Sequence, residues 1–264
     1  ATLRRIFFVG GEDDEIPEDE PPLGIVAHAV VDDPAALEAQ LDGHSIASGR
    51  LRGVRDILSA HPDKRVHTWT DPSRIGSDAL RVGLGTLAER GLTFEAWCYS
   101  NQLGELARLA DDVPMTTMVL DHMGTPVGLA GPHGGQGETE ADRARILDDW
   151  HAGLVAVAEH RNVHCKLSGL LMPICGFGFH ERDAKPSVGE VVDALGPHVL
   201  FGIETFGVER CMFASNFPMD KVSVDYEVLW DAFLQIIANA GLDASQQAAL
   251  LAGNAAAFYR LEER

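Results

Sequence analysis

Short apolar segments alternate with amphipathic segments along almost the whole chain, and this alternation constrains the fold more than any other feature. Predicted strands cover residues 24–31, 52–58, 92–99, 115–122, 163–168 and 211–215, and predicted helices cover 33–44, 76–90, 102–111, 138–160, 187–195, 226–240 and 244–259. Strands separated by helices at this spacing are typical of parallel β-α units. Periodicity alone does not distinguish a barrel from an open sheet, but no Gly-rich phosphate-binding motif follows a strand, which disfavours a dinucleotide-binding sheet.

The N-terminal segment differs from this pattern. Residues 6–9 are apolar and predict a further strand, whereas residues 11–22 are dense in Glu, Asp and Pro and predict a solvated loop. This segment therefore interrupts the regular alternation of strands and helices seen in the rest of the chain.

Composition limits the class of protein. A length of 264 residues with 45% hydrophobic residues suits one domain spanning residues 1–264. The formal charge of −19 disfavours a broad nucleic-acid surface. No apolar run reaches the roughly 18 residues that a membrane span requires. We see no secretory signal, and the four cysteines show no paired spacing, so a cytoplasmic protein without disulfides is expected. Self-association is left open.

Polar side chains stand where the predicted strands end. In parallel β-α barrels these ends face a common mouth, where catalytic residues gather. Nearly every strand here ends in a titratable or strongly hydrogen-bonding side chain, which indicates an enzyme. The residues concerned are His28, Arg55, Tyr99, Asp121, His122, Lys166, Ser168 and Asn216.

Each of these residues also has a purely structural interpretation. Arg55 is suited to binding a substrate carboxylate with two parallel hydrogen bonds, or it forms a salt bridge at the barrel rim. Lys166 lies in a buried strand, where an unpaired ammonium is costly, so it is either a structural ion pair or a catalytic amine. Tyr99 is a hydrogen-bond donor or a packing residue. For His28 the structural interpretation, a hydrogen-bonded core or turn residue, is favoured over a functional one. His122 precedes a tight turn that would direct its imidazole to the mouth.

Five segments resemble successive active-site strands of the amidohydrolase-2 family of the amidohydrolase superfamily. They are residues 24–29, 51–55, 119–126, 163–169 and 209–218, which resemble its second, third, fifth, sixth and final active-site strands. The resemblance implies an α/β fold, a (β/α)8 TIM barrel of the metal-dependent hydrolase type. Because no segment resembles the first strand of the family, we expect the barrel to be incomplete, with the first-strand region missing or irregular. The family resemblance also implies hydrolysis of esters, lactones or amides, with decarboxylation in some members. The most similar branch contains 2-pyrone-4,6-dicarboxylate lactonase and sugar-acid lactonases.

The resemblance also implies roles for individual residues. It places substrate-carboxylate binding at Arg55, carbonyl polarisation at His122 and a substrate hydrogen bond at Tyr99. We predict two groups in this site. The catalytic group is His122, Tyr99, Asn216 and Asp220, and the substrate-binding group is His28, Arg55, Lys166 and Ser168.

Two departures from the family pattern bear on the chemistry. The first strand of the family carries a His-x-His pair, and no histidine precedes His28 here. A metal site would then lack two usual ligands, so we expect no cofactor unless a longer chain supplies that pair for a divalent metal such as zinc. The final strand ends in Asn216, where the lactonase branch usually has an Asp that acts as general base or metal ligand. Asp220 is the nearest carboxylate, either turned inward as the base or held in a surface ion pair.

These observations favour a hydrolase that adds water to the polarised carbonyl of a small carboxylated lactone or ester. Two alternatives stay open from the sequence. One is a metal-dependent decarboxylase of the same superfamily, and the other is a truncated, non-catalytic barrel.

Overall fold

Seven parallel strands form one sheet whose strand order equals the sequence order. The computed structural model describes the backbone of residues 6–9 and residues 23–261 in full. The strands are β1 (Ile6–Val9), β2 (Gly24–His28), β3 (Leu51–Ile57), β4 (Thr93–Trp97), β5 (Met118–Leu120), β6 (Val163–Leu167) and β7 (Cys211–Phe213). The six predicted strands and the further strand at residues 6–9 are confirmed. The loop predicted at residues 11–22 lies outside the described residues.

Helices connect the strands. They are α1 (Pro34–Ala47), α2 (Asp78–Glu89), α3 (Leu103–Asp112), α4 (Glu140–Ala158), α5 (Val188–Phe206), α6 (Tyr226–Asn239), α7 (Ala244–Ala248) and α8 (Asn254–Phe258). The α1 helix begins as predicted, since the Asp33 side chain accepts a hydrogen bond from the backbone N–H of Ala36 at 3.1 Å. A π-helical turn, Ala249–Gly253, divides the predicted last helix into α7 and α8.

The predicted end of α5 at residue 195 is wrong. Gly196-Pro197 follows directly, and a proline usually ends a helix because it lacks the N–H that continues one. Instead, Pro197 lies inside α5, which continues to Phe206. Buried Val199 and Phe206 pack into the core on this extension. Tertiary packing therefore outweighs the local cost of the proline.

Side chains of each strand alternate between the two faces of the sheet. The outward-facing residues join the helices in the main hydrophobic core, and they include Val54, Phe94, Ala96, Leu120, Cys165 and Phe213. On the other face, Val26 of β2, Val119 of β5 and Met212 of β7 pack in a single cluster with Phe258 and Tyr259. Strands that are far apart in the sheet can share one cluster only if the sheet curls round it.

The sheet is curled but not closed in the described part of the chain. There, β1 pairs with β2 and β7 pairs with β6, while no pairing joins β1 to β7. Phe258 and Tyr259, at the end of α8, enter the interior at the level of Val26 and Val119. The predicted barrel, incomplete or irregular at its first strand, is confirmed.

Two further observations complete the fold. None of the described helices combines the length and the apolar character that crossing a membrane would require. All four cysteines, Cys98, Cys165, Cys175 and Cys211, are buried free thiols. Burial raises the pKa of the Cys98 thiol to about 12, so this side chain is protonated and acts as a small apolar group.

Candidate active site

Four inward-facing charged side chains lie above the apolar interior, and we call them the ionic cluster: Arg55, Glu95, Asp121 and Lys166. Arg55 of β3 and Glu95 of β4 are register partners, and Nε of Arg55 donates to Oε2 of Glu95 at 3.1 Å. Nη2 of Arg55 lies 2.8 Å from Oδ2 of Asp121. Nζ of Lys166 lies 2.7 Å from Oε1 of Glu95 and 3.2 Å from Oδ1 of Asp121.

The ionic cluster balances two positive charges against two negative ones. Glu95 and Asp121 are fully buried and Lys166 is nearly so, whereas the Arg55 side chain keeps 24% of its exposure. Burial alone would raise the pKa of Asp121, but the charges of Arg55 and Lys166 lower it well below its usual range. The structural interpretation of Lys166 as an ion pair is therefore supported. The cluster forms a rigid, charged floor beneath the mouth.

His122 lies at the mouth, directly after Asp121. Its Nδ1 is 2.9 Å from Oγ of Ser168, and both side chains are buried. Burial, together with the charges of Arg55 and Lys166, lowers the pKa of His122 to about 3, although the charge of Asp121 opposes the shift. The imidazole is therefore neutral. In the described part of the chain, Nε2 has no hydrogen-bond partner, so it is the ring nitrogen available to a substrate.

The backbone around this histidine is strained. Among non-glycine residues of 23–261, a positive φ occurs at His122 (54°), Met123 (53°), Thr125 (31°), Asn216 (54°) and Arg260 (49°). Such conformations cost about 1–3 kcal/mol each and tend to occur at functional sites. Four of these five residues follow β5 or β7 at the mouth. The strain thus marks two of the turns that carry predicted site residues.

Gly169 allows the close approach of β6 to His122. A Cβ atom at this position would lie 2.5 Å from Cγ of His122, and the φ of Gly169 is +69°. Only glycine avoids both the clash and the unfavourable backbone conformation. Gly169 therefore fixes the spacing that brings the neighbouring Ser168 within hydrogen-bond distance of the imidazole.

Asp220 is turned inward. Its side chain is only 1% exposed, and Oδ1 accepts a hydrogen bond of 2.9 Å from Nδ2 of Asn216. Burial raises the pKa of Asp220 to about 7, although the Asn216 hydrogen bond opposes the shift. The alternative of a surface ion pair is wrong, because the carboxyl group is buried and its partner is an amide. Asp220 and Ser168 line the same narrow apolar cavity.

Three aromatic residues form a wall on one side of the mouth, and we call them the aromatic wall: Trp69, Trp97 and Tyr99. The Tyr99 hydroxyl donates to the backbone carbonyl of His67 at 2.9 Å and accepts from Nε1 of Trp69 at 3.2 Å. Nε1 of Trp97 donates to Oγ1 of Thr125 at 2.9 Å. In this arrangement the Tyr99 hydroxyl is engaged by the loop that carries Trp69.

His28 lies apart from these groups. It ends β2 with an exposed side chain that makes no hydrogen bond within residues 23–261, while its carbonyl lies 3.0 Å from Nε2 of His44. The structure thus places six of the eight predicted site residues in three contacting groups: Arg55 and Lys166 in the ionic cluster, His122 with Ser168, and Asn216 with Asp220, which shares a cavity with Ser168. The other two, Tyr99 and His28, lie on the wall and at the rim, and their roles stay predictions.

Sequence reasoning missed Glu95 and Trp97. Glu95 is a carboxylate within an apolar strand, the same signal that singled out Lys166. The inward-facing residues of β4 have period two, so Glu95, Trp97 and Tyr99 share a face. Applying this period to β4 would have identified both residues.

Comparisons with known proteins cover the same region. A family model described as amidohydrolase matches residues 14–261. The uncharacterized protein y4mH of Sinorhizobium fredii is 32% identical over 240 residues, which are 91% of this chain and 70% of that protein. An L-fucono-1,5-lactonase of Burkholderia ambifaria is 27% identical over 231 residues, 86% of this chain and 68% of that one. A crystal structure of an amidohydrolase from Burkholderia multivorans with bound zinc has a TM-score of 0.69 at 22% identity, covering 91% of this chain and 74% of that one.

The zinc in the Burkholderia multivorans structure is bound to that protein, and the side chains described here do not fit such an ion. Within residues 23–261, no three His, Cys, Asp or Glu side chains are grouped as metal ligands. Asp121 has a cationic nitrogen beside each of its carboxylate oxygens, from Arg55 and Lys166. These charges repel a divalent cation. The expectation that no cofactor is needed stays a prediction.

Proposed function

The chain belongs to the amidohydrolase family and is a hydrolase, and from this premise we propose that it opens a small carboxylated lactone by adding water to the ring carbonyl. The strand motifs had predicted this family, and the family match confirms it. The resemblance to an L-fucono-1,5-lactonase supports a lactone as the substrate. The observation that carries the mechanism is the neutral His122 imidazole, held at the mouth by Ser168.

His122 is proposed to polarise the carbonyl. The Ser168 hydroxyl donates to Nδ1, which leaves the ring proton on Nε2, the nitrogen without a partner in the described residues. Nε2–H then donates to the carbonyl oxygen and stabilises the negative charge that develops there. A neutral imidazole suits this role, since a low pKa keeps the donor in one protonation state.

Asp220 is proposed to act as the base. The water oxygen bonds to the carbonyl carbon, and its proton passes to the Asp220 carboxylate. The tetrahedral intermediate then collapses, the ring C–O bond breaks, and the leaving alkoxide takes the proton from Asp220. A base with a pKa of about 7 serves both steps near neutral pH. Asn216 holds one carboxylate oxygen and so orients the other.

Arg55 is proposed to bind the carboxylate of the substrate. Its Nε and Nη2 already contact Glu95 and Asp121. These contacts fix the guanidinium in place and direct its exposed part to the mouth. The positive charge would be held there without loss of side-chain entropy upon binding. We propose that the Tyr99 hydroxyl and the exposed imidazole of His28 make additional hydrogen bonds to the substrate.

Replacing Arg55 with Lys tests this function. We expect KM for a carboxylated lactone to rise about 10- to 100-fold, because a point charge replaces a planar guanidinium whose hydrogen bonds are charge-assisted. The measurement is steady-state hydrolysis of the lactone and of the corresponding lactone without the carboxylate. The second substrate should show little change in KM.

Loss of folding must be separated from loss of binding in this test, because Arg55 also contacts Glu95 and Asp121. Thermal unfolding of Arg55→Lys is therefore measured beside the kinetics. An equal rise in KM for both substrates would show that Arg55 does not bind the substrate carboxylate. Product analysis of the parent protein also decides between hydrolysis and the decarboxylase alternative, since only decarboxylation releases CO2.

Replacing Ser168 with Ala should weaken catalysis without preventing it. The variant loses one hydrogen bond to Nδ1, so both imidazole tautomers become populated. We expect kcat/KM to fall about three- to tenfold, as for the loss of one neutral hydrogen bond. Nitrogen NMR of labelled histidine reports the tautomer directly. An unchanged Nε2–H tautomer in Ser168→Ala would show that Ser168 does not position the ring.

A further inference from the structure

Trp69 is a large aromatic side chain left half exposed at the mouth. Its relative exposure is 53%, whereas Tyr99, to which it is bonded, is buried. The ring is held by three neighbours. It contacts His67 edge-on with ring centroids 4.6 Å apart, it packs against Trp97 at 5.6 Å, and its N–H donates to the Tyr99 hydroxyl. Such a side chain is exposed without being mobile.

The exposed indole is connected to the proposed catalytic histidine through one further ring. Trp97 lies between them, 5.6 Å from Trp69 and 6.3 Å from His122 by ring centroid. Trp97 is itself fixed by its hydrogen bond to Thr125, the residue three places after His122. Two ring contacts, Trp69 with Trp97 and Trp97 with His122, therefore connect the rim of the mouth to the imidazole.

We propose that Trp69 and Trp97 form a ring-binding subsite, in which the cyclic part of the substrate stacks on the exposed indole while its carbonyl reaches His122. This inference rests on the proposed lactone hydrolysis and narrows its substrate to a lactone whose ring can stack on the indole of Trp69. Trp69 acts as a specificity-determining residue. It favours the cyclic substrate over an open-chain ester of the same acid.

The chemistry of the wall supports a ring rather than a chain. A rigid aromatic surface gains most from a flat or puckered ring that presents C–H groups or a π-face to it. An open chain must lose rotational freedom to lie along the same surface, and this entropy loss offsets the gain. The hydrogen-bonding groups of the mouth stand beside the wall, so hydroxyl groups on the ring edge keep polar partners.

The test compares Trp69→Ala and Trp69→Phe on two substrates of one acid, a small carboxylated δ-lactone and the open-chain methyl ester formed by opening its ring, with the freed hydroxyl group methylated so that the ring cannot close again. For Trp69→Ala we expect kcat/KM for the lactone to fall about tenfold or more, and that for the ester to change by less than about twofold. Trp69→Phe keeps a ring surface and should recover most of the loss. Met115→Ala is the matched control, because Met115 is 83% exposed and precedes β5, at the opposite end of the barrel.

Binding is measured separately so that this inference and the proposed hydrolysis can fail independently. Calorimetric titration with the lactam analogue of the same ring, which resists hydrolysis, needs no turnover. A dissociation constant that rises about tenfold in Trp69→Ala supports the subsite even if the parent hydrolyses neither substrate. An equal dissociation constant in parent and variant, or no binding to the parent, overturns it. Equal losses for lactone and ester would also overturn it.

Discussion

Replacing Asp220 with Asn is expected to lower kcat by about 10²- to 10⁴-fold, the range that one general base contributes. Asparagine has nearly the same shape and can still hydrogen-bond Asn216, so the fold should be kept. It cannot accept the proton of the attacking water at neutral pH. The measurement is kcat for lactone hydrolysis, with thermal unfolding as the check on structure. Asp225→Asn serves as a control, since Asp225 is exposed five residues later.

The pH dependence supplies a second readout for the same residue. The active form of the base is the carboxylate, and burial raises the pKa of Asp220 to about 7. Below that pH, kcat should therefore fall about tenfold per unit, and above it kcat should level off. Protonation of His122 does not cause this fall in kcat, because the pKa of His122, about 3, lies far lower. In Asp220→Asn, the fall in kcat below about pH 7 should disappear.

Two results would contradict the assignment. Unchanged kcat in Asp220→Asn would show that the base is another group. A gain of several orders of magnitude in Asn216→Asp would show that the base belongs at the end of β7 and that the natural chain lacks it. In that case Asn216 would only orient water, and turnover by the parent would be slow.

Replacing Lys166 with Met should destabilise the protein by about 3–5 kcal/mol, the usual cost of removing one partner from a buried ion pair. Methionine fills a similar volume but leaves Glu95 and Asp121 with Arg55 as their remaining cation in the ionic cluster. The free energy of unfolding is measured by denaturant titration.

Arg145→Met provides the control for this stability experiment. Arg145 pairs with Asp149 on the surface of α4 at 3.3 Å, and both side chains are more than half exposed. Water and salt screen such a pair, so its removal should change stability by about 0–1 kcal/mol. If Lys166→Met were no more destabilising than Arg145→Met, the buried charges of the ionic cluster would not depend on Lys166.

The strand ends were predictable because they depend on local pattern. Parallel strands bring their carboxyl ends together, so Arg55, His122 and Lys166 could be placed at one end of a barrel from sequence alone. The strained backbone of His122 was partly visible too, since Met123-Gly124-Thr125-Pro126 indicated a tight turn. The inward turn of Asp220 was one of two alternatives, because local pattern does not tell whether a loop carboxylate faces solvent.

Partners that come from distant loops could not be predicted. The Tyr99 hydroxyl is engaged by Trp69 and the His67 carbonyl, which lie in the long connection between β3 and α2. Their approach depends on the path of that connection, for which the sequence has no periodic signal. Likewise, the balance of the ionic cluster required Glu95, and its contacts depend on the register of β3 against β4.

The Tyr259 hydroxyl donates a hydrogen bond to the buried carboxylate of Glu95, and this contact limits when the ionic cluster can be completed during synthesis of the chain. The two residues are 164 positions apart in the chain. At the usual pace of ribosomes, Tyr259 is polymerised roughly 8–33 s after Glu95. During that interval Arg55, which precedes Glu95 in the chain, can pair with this carboxylate, but the hydroxyl of Tyr259 is not yet present. The ionic cluster can therefore gain its final hydrogen bond only after Tyr259 has been synthesised, and until then Val26, Val119 and Met212 lack the two aromatic rings that pack against them.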